Sequence, residues 1–100
     1  SAWLAGANLQ KANLQKANLF RSTLHGANLQ DADLSAANLM EASLIKANLR
    51  DVDLQDADLN KTILFKASVS KSALIEAQLC LTSLPDYTMH NRDCEQTRSI

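Results

Sequence analysis

Turn-forming and aromatic residues are scarce in this chain of 100 residues, which has two glycines, one proline and 4% aromatic side chains. So little glycine and proline leaves few of the residues that usually make turns. With so few aromatics, leucine and alanine must form the core. Cys80 and Cys94 are too few for a disulfide framework; a Cys80–Cys94 bridge is one option, and two free thiols are the expectation. No apolar run approaches the roughly 18 residues that a membrane span needs, so the chain is expected to be soluble. Neither sign of charge dominates, with a net value of −1. That excludes a strong field for steering nucleic acid or for imitating it. An initiator Met and a secretory signal pattern are also lacking. Ser1 reads as a cloning scar or a processed end, with room for natural chain upstream, and the compartment is left open.

What is present is a word. Residues 6–20 read GANLQ KANLQ KANLF, with Leu fourth each time. Taking that Leu as position i, the register runs from Leu4 to Leu84 through seventeen consecutive sites, sixteen of them Leu and one Val69. Position i−2 is Ala at twelve of the seventeen, the others being Ser22, Val52, Thr62, Ser72 and Thr82.

Neither regular element buries such a period. An α-helix advances about 100° per residue, so five residues carry each leucine roughly 140° past a full turn. A flat strand alternates faces with period two, so an odd spacing sends successive leucines to opposite sides. A chain that bends once per word succeeds. Positions i−2 and i then share the inner face, and i−1, i+1 and i+2 point outward. Asn and Asp recur at i−1, where they are expected to take unusual backbone angles, bond their own turns and so stand in for glycine.

This A(N/D)LXX pattern resembles the pentapeptide-repeat family over about 85 residues. The resemblance implies an all-β fold, a right-handed quadrilateral parallel β-helix with four words per coil and about four coils. On this reading residues 2–86 are the β-helix and residues 87–100 a C-terminal cap or flexible tail, with disorder expected over Glu95–Ile100. Pro85 and Tyr87 fit a turn that lays Tyr87 or Met89 over the last coil. The Pro85-Asp86 to His90-Asn91 closing is similar to that of cyanobacterial and plastid members, so the compartments carried are the cytoplasm and the thylakoid lumen.

A twenty-residue coil names vertical neighbours on the outer surface. Asn8, Asn28 and Asn48 form a ladder of a kind that favours stacked β-structure. Asp31 lies under Asp51 and Asp33 under Asp53, with Asp56 and Asp58 at the next corner. These carboxylates are weak candidates for a cation site; the reading kept is turn-bonding and solvated aspartates, with no metal and no cofactor. Charge is banded: Lys11, Lys16 and Arg21 low in the stack, Asp31, Asp33 and Glu41 above them, then Lys61, Lys66 and Lys71, which favours no nucleic-acid track. Two apolar columns stand at i+1, Phe20 with Met40 and Ile45 with Phe65, and these are the candidate partner contacts. Trp3, at i−1 of the first word, is a third; it could fold over the open end, meet upstream chain or sit in an end-to-end homodimer. His25 and His90 lack companions at ligand spacing, and the register places no Ser or Cys nucleophile beside His25.

The sequence therefore reads as a non-enzymatic structural or protein-interaction module with an unidentified protein partner. No Gly-rich phosphate loop and no nucleophile–base pair supports an enzyme. Two alternatives are carried. The resemblance implies a gyrase- or topoisomerase-binding DNA mimic, against which stand the net charge and the scattered lysines. An accessory domain of a longer multidomain protein is suggested by the abrupt start at Ala2.

Overall fold

Each word builds one straight side and one corner. In the second word Leu9 ends the side, Gln10 and Lys11 turn the corner, and the Ala12 N–H donates to the Leu9 carbonyl at 3.0 Å. Lys11 has a φ of 62°, and a positive φ at the third residue of such a bond is the type II arrangement. The structure, a computed structural model, describes residues 1–86 and 88–90.

The left-handed residue is thus at i+2, and the expectation that Asn or Asp at i−1 supplies it is corrected. Glycine takes this place only at Gly6 and Gly26; elsewhere it is held by residues such as Lys16, Arg21, Asp31, Glu41 and Asp56. A side chain there is strained, so the rest of the coil must hold it. Part of that hold comes from i−1. Its backbone forms the bridge to the neighbouring coil, and its side chain braces the corner. Asn8 Oδ1 accepts from the Gln10 N–H at 3.2 Å, and the same bond recurs at Asn13, Asn18, Asn28, Asp33, Asn38, Asn48, Asp53 and Asp58.

Four words close a coil. Residue 8 pairs in parallel with 28 and 28 with 48; 33 pairs with 53 and 43 with 63. In every pair the i−1 residue turns both of its backbone groups toward the preceding coil. The Asn28 N–H donates to the Ala7 carbonyl at 2.9 Å, and the Asn28 carbonyl accepts from the Leu9 N–H at 2.7 Å. The corner adds a third bond, from the Lys11 N–H to the Gln30 carbonyl at 2.9 Å.

Inside, each leucine from Leu24 to Leu64 is sealed from solvent, with the alanines at Ala27, Ala32, Ala37, Ala42, Ala47 and Ala57 beside them. Leu4, Leu9 and Leu14, in the first described coil, are only partly buried. Three polar residues replace alanine in one interior column, and their hydroxyls are partnered, as buried polar groups must be. Thr62 Oγ1 donates to the Leu39 carbonyl at 2.7 Å, Thr82 Oγ1 donates to the Leu59 carbonyl at 2.6 Å, and Ser22 Oγ accepts from the Ala2 N–H at 3.1 Å.

The regular wall breaks once among the described residues. Where the spacing predicts a side at Ser72–Leu74, the chain forms a short helix, α1, over Lys71–Ile75. Ser70 caps it, its hydroxyl accepting from the Ala73 N–H at 3.2 Å. The cause is local: Ala73 at i−1 has no side-chain oxygen to brace a corner, and Ala, Leu, Lys and Glu favour helix. Pairing resumes with 58 to 78 and 63 to 83. The chain then turns at Pro85 and Asp86, whose carboxylate accepts from the Thr88 N–H at 3.1 Å and from its hydroxyl at 2.6 Å. Strand β1, Thr82–Ser83, pairs antiparallel with β2, Met89–His90, so the returning chain lies along the last coil. Met89 pairs with Ser83 at this edge and its side chain is exposed to solvent. The expectation of free thiols is corrected at Cys80, which is disulfide-bonded. Tyr87, Cys94 and the tail over Glu95–Ile100 lie outside the described residues.

Fully buried leucines should matter more than the partly buried ones of the first described coil. Leu44→Ala is expected to lower unfolding free energy by about 3 kcal/mol and Leu9→Ala by about 1 kcal/mol, since the site at Leu9 is already partly solvated. Urea denaturation followed by circular dichroism measures both, and equal losses would contradict the graded burial.

Candidate interaction surface

The four sides of the coil differ at i−1. Three of them carry Asn or Asp in this column: Asn8, Asn28 and Asn48; Asn13, Asp33 and Asp53; Asn18, Asn38 and Asp58. On these sides each Asn or Asp is committed to bracing its corner, and Ser68, Ala73 and Gln78 follow at the upper level. Along the first, Asn48 Nδ2 also donates to Asn28 Oδ1 at 3.3 Å, so the predicted Asn ladder is present as a bonded stack. The fourth side has Trp3, Thr23, Ser43, Ile63 and Ser83 instead. Its outward column is freed from that duty.

The two apolar columns flank this fourth side. Phe20 and Met40 stand at the corner where it begins, on adjacent levels joined by the Arg21 N–H to the Met40 carbonyl at 3.0 Å. Ile45 and Phe65 stand at the corner where it ends, joined by the Lys46 N–H to the Phe65 carbonyl at 2.8 Å. All four are half-buried, so stacking covers part of each and leaves part to solvent. Trp3 is 77% exposed at the foot of the same side. The sequence names these residues as separate columns; the fold gathers them around one face and adds Ile63, which a reading by i+1 columns misses. Listing i−1 by coil position would have shown that only this column lacks Asn and Asp throughout.

Polar groups on the face are engaged with one another. The Arg21 guanidinium lies 5.0 Å from the centre of the Phe20 ring and its Nε is 3.6 Å from Glu41 Oε1. An exposed pair of this kind contributes little to stability, but it fixes a flat cation on an aromatic. His25 Nε2 lies 2.6 Å from Ser43 Oγ. That corrects the expectation of no serine beside His25: the i+1 side chain reaches over its own side to the next level. The pair is open to solvent, and the neighbouring N–H groups of Leu24, Gly26 and Leu44 are occupied in the coil-to-coil ladder. The arrangement thus provides an exposed hydrogen bond and no donor pair aimed at a developing oxyanion. The side chain of His90 lies outside the described residues.

The aspartates fall elsewhere. Asp33 and Asp53 are bridge partners on the opposite side of the coil, and each accepts a backbone bond at its own corner, from Ser35 and Gln55 at 3.0 Å. Asp31 and Asp51 are exposed corner residues with φ of 61° and 56°. Among the described residues no group of three or more His, Cys, Asp or Glu side chains is placed to hold a metal ion. Where α1 leaves the wall, an open depression of about 440 Å³ lies between Asp51–Gln55 and Ser70, Ser72, Ala73 and Glu76.

With this geometry established, comparison with known proteins decides the family. The pentapeptide-repeat model matches in eight copies over residues 2–35, 27–64 and 42–79. The chain belongs to the pentapeptide-repeat family. Among solved structures it is similar to a pentapeptide-repeat protein from the Arabidopsis thaliana thylakoid lumen, at 26% identity and a TM-score of 0.63 over 95% of this chain and 72% of that one. It is also similar to the pentapeptide-repeat protein Rfr23 of the cyanobacterium Cyanothece 51142, at 28% identity and a TM-score of 0.52 over 90% of this chain and 61% of that one. The chain thus spans about three fifths of Rfr23. Comparison with curated protein sequences gave no match. The fold is therefore the right-handed quadrilateral β-helix of this family, whose members are in general non-enzymatic structural repeat proteins. No helix among the described residues is long and apolar enough to cross a membrane.

The Asp33 carboxyl is held below the usual carboxylate range, first by the Ser35 hydroxyl at 2.7 Å and then by the Ser35 N–H. A depressed folded value adds stability above the ordinary carboxylate pKa of about 3.9, and that addition is lost as pH falls through the lower folded value. Ser35→Ala should therefore move the Asp33 titration upward toward the ordinary range. Carbon-detected NMR titration of the side chain reads it, and an unchanged midpoint would show that the hydroxyl is not the cause.

Proposed function

We propose that this chain is a non-enzymatic protein-interaction module that engages a partner protein through its fourth side. One observation carries the reading. The single side released from corner-bracing is also the side flanked and occupied by Trp3, Phe20, Met40, Ile45, Ile63 and Phe65. Aromatic residues, Met and Arg are the types enriched at protein interfaces, and Arg21 lies here over Phe20. The interior positions are used to build the coil, so an outward surface of this composition is where selection for contact can act. The pentapeptide-repeat scaffold supplies rigidity, which lowers the ordering entropy that association must overcome.

Affinity capture from the source cells, with the wild type beside Phe20→Ser/Phe65→Ser and Ile63→Ser variants, tests this. Loss of one specific protein in the variants, with a wild-type circular dichroism spectrum and at least about tenfold weaker binding to that protein once purified, is the expected result. Retention at full affinity would clear this side. An Asn18→Ser/Asn38→Ser variant on the neighbouring side serves as the control expected to keep binding.

A further inference from the structure

We infer that the segment bound by the fourth side is acidic, with carboxylates that meet Lys46, Lys61 and Lys66 and apolar residues that lie on Ile45, Ile63 and Phe65. The inference rests on the fourth side being the interaction face, and it adds the chemistry of the partner.

The net charge of −1 conceals a separation of charge across the coil. The cations between residues 31 and 66 are Lys46, Arg50, Lys61 and Lys66. With twenty residues per coil, Lys61 falls at the corner where the fourth side begins, and Lys46 and Lys66 at the corner where it ends. Among the carboxylates of the same span only Glu41 joins them, and it is already engaged, 3.6 Å from the Arg21 guanidinium. Higher on the Lys66 corner, Asp86 directs its carboxylate to the Thr88 N–H and hydroxyl. Asp33 and Asp53 lie on the opposite side, with Asp31, Asp51 and Asp56 at its corners and Arg50 beside them; Asp58 is on the third. Such a separation turns the fourth side toward an acidic partner during approach.

The lysines stand ready for a counter-charge. The Lys46 N–H donates to the Phe65 carbonyl at 2.8 Å, which sets Lys46 and Lys66 on adjacent levels of one corner, roughly 4.8 Å apart along the stack. Like charges placed so repel. The coil does not demand them, since the same column is glycine at Gly6 and Gly26. Lys46, Lys61 and Lys66 are exposed, and none has an ion-pair partner among the described residues. A carboxylate seated between Lys46 and Lys66 would relieve their repulsion.

Apolar surface fills the space between the corners. The ring of His25 shows the course of an i+1 side chain, over its own side to Ser43 one level up. Ile45 follows the same course toward Ile63. Ile45, Ile63 and Phe65 are half-buried, so they lie level with the wall. That suits a protein segment laid flat on it, whereas a bilayer takes apolar groups that sink about 5–10 Å past its surface. With Phe65 the only ring among these six side chains, successive bases of a nucleic acid would find little to stack on.

The probe is the peptide acetyl-EDLEDFEDLE-amide, titrated into the intact protein and followed by amide NMR. Shifts are expected at Ile45, Lys46, Ile63, Phe65 and Lys66, with binding that weakens as salt rises. The same peptide with every acidic residue changed to lysine should bind about tenfold more weakly. A Lys46→Glu/Lys61→Glu/Lys66→Glu protein with the wild-type circular dichroism spectrum should reverse that order. No binding of the acidic peptide, shifts confined to other sides, or no reversal would overturn the proposal. Equal binding of both peptides on the fourth side would also overturn it, while leaving that side as the interaction face. Loss of the face itself has a separate signature, capture of the partner protein undiminished by Ile63→Ser. Tighter binding of a short oligothymidylate or of phosphatidylserine vesicles at the same amides would reassign the lysines to phosphate and end the proposal.

Discussion

Every feature of the molecule depends on the backbone bonds between coils. A word by itself makes one turn bond, from the residue three past the leucine, and that closes a corner without fixing the direction of the next side. Direction comes from the neighbouring level. The i−1 residue gives both of its groups to the coil before it, and the leucine and the corner residue give theirs to the coil after it, as at Asn28, Leu9 and Lys11. These bonds hold corner residues such as Lys16 and Asp56 in the left-handed region without glycine. They also place i−2 and i on the inner face, and stability of this kind grows by nearest-neighbour contact.

Much of this was legible in the sequence because one period governs it. The five-residue spacing rules out helix and flat strand, and the twenty-residue coil predicts which residues stack, as the bonded Asn28–Asn48 pair bears out. What escaped is what a uniform period hides. The left-handed position could not be read from composition, because Lys, Arg, Asp and Glu at i+2 look like ordinary solvated charge. At Ser70–Glu76 the leucine register continues unbroken while the backbone becomes helical, since helix propensity and a capping serine outweigh a side that lacks its corner brace. The nearness of His25 to Ser43 arises from the reach of an i+1 side chain to the next level, a direction that residue spacing does not encode. The gathering of the apolar columns on one side was latent in the numbering but visible only once sides were compared.

The interior tolerates polarity in one place and in a consistent way. Ser22, Thr62 and Thr82 occupy one column at i−2, and each hydroxyl finds a backbone partner. The spare lone pair of a carbonyl already used in a corner suffices: the Leu39 oxygen accepts from both the Ala42 N–H and the Thr62 hydroxyl. A small hydroxyl residue can therefore replace alanine where a carbonyl of the coil before it lies within reach.

All words are nearly alike on the inside and unlike on the outside, and this gives the fold an unusual kind of modularity. Adding or deleting one word would preserve the leucine–alanine interior, yet it would rotate everything downstream by a quarter turn. Ile63 and Phe65 would then leave Trp3, Phe20 and Met40 for a different wall. The core counts in fives, whereas any surface assembled from several levels counts in twenties. Length changes that spare folding would thus scramble recognition unless they came in whole turns of the square.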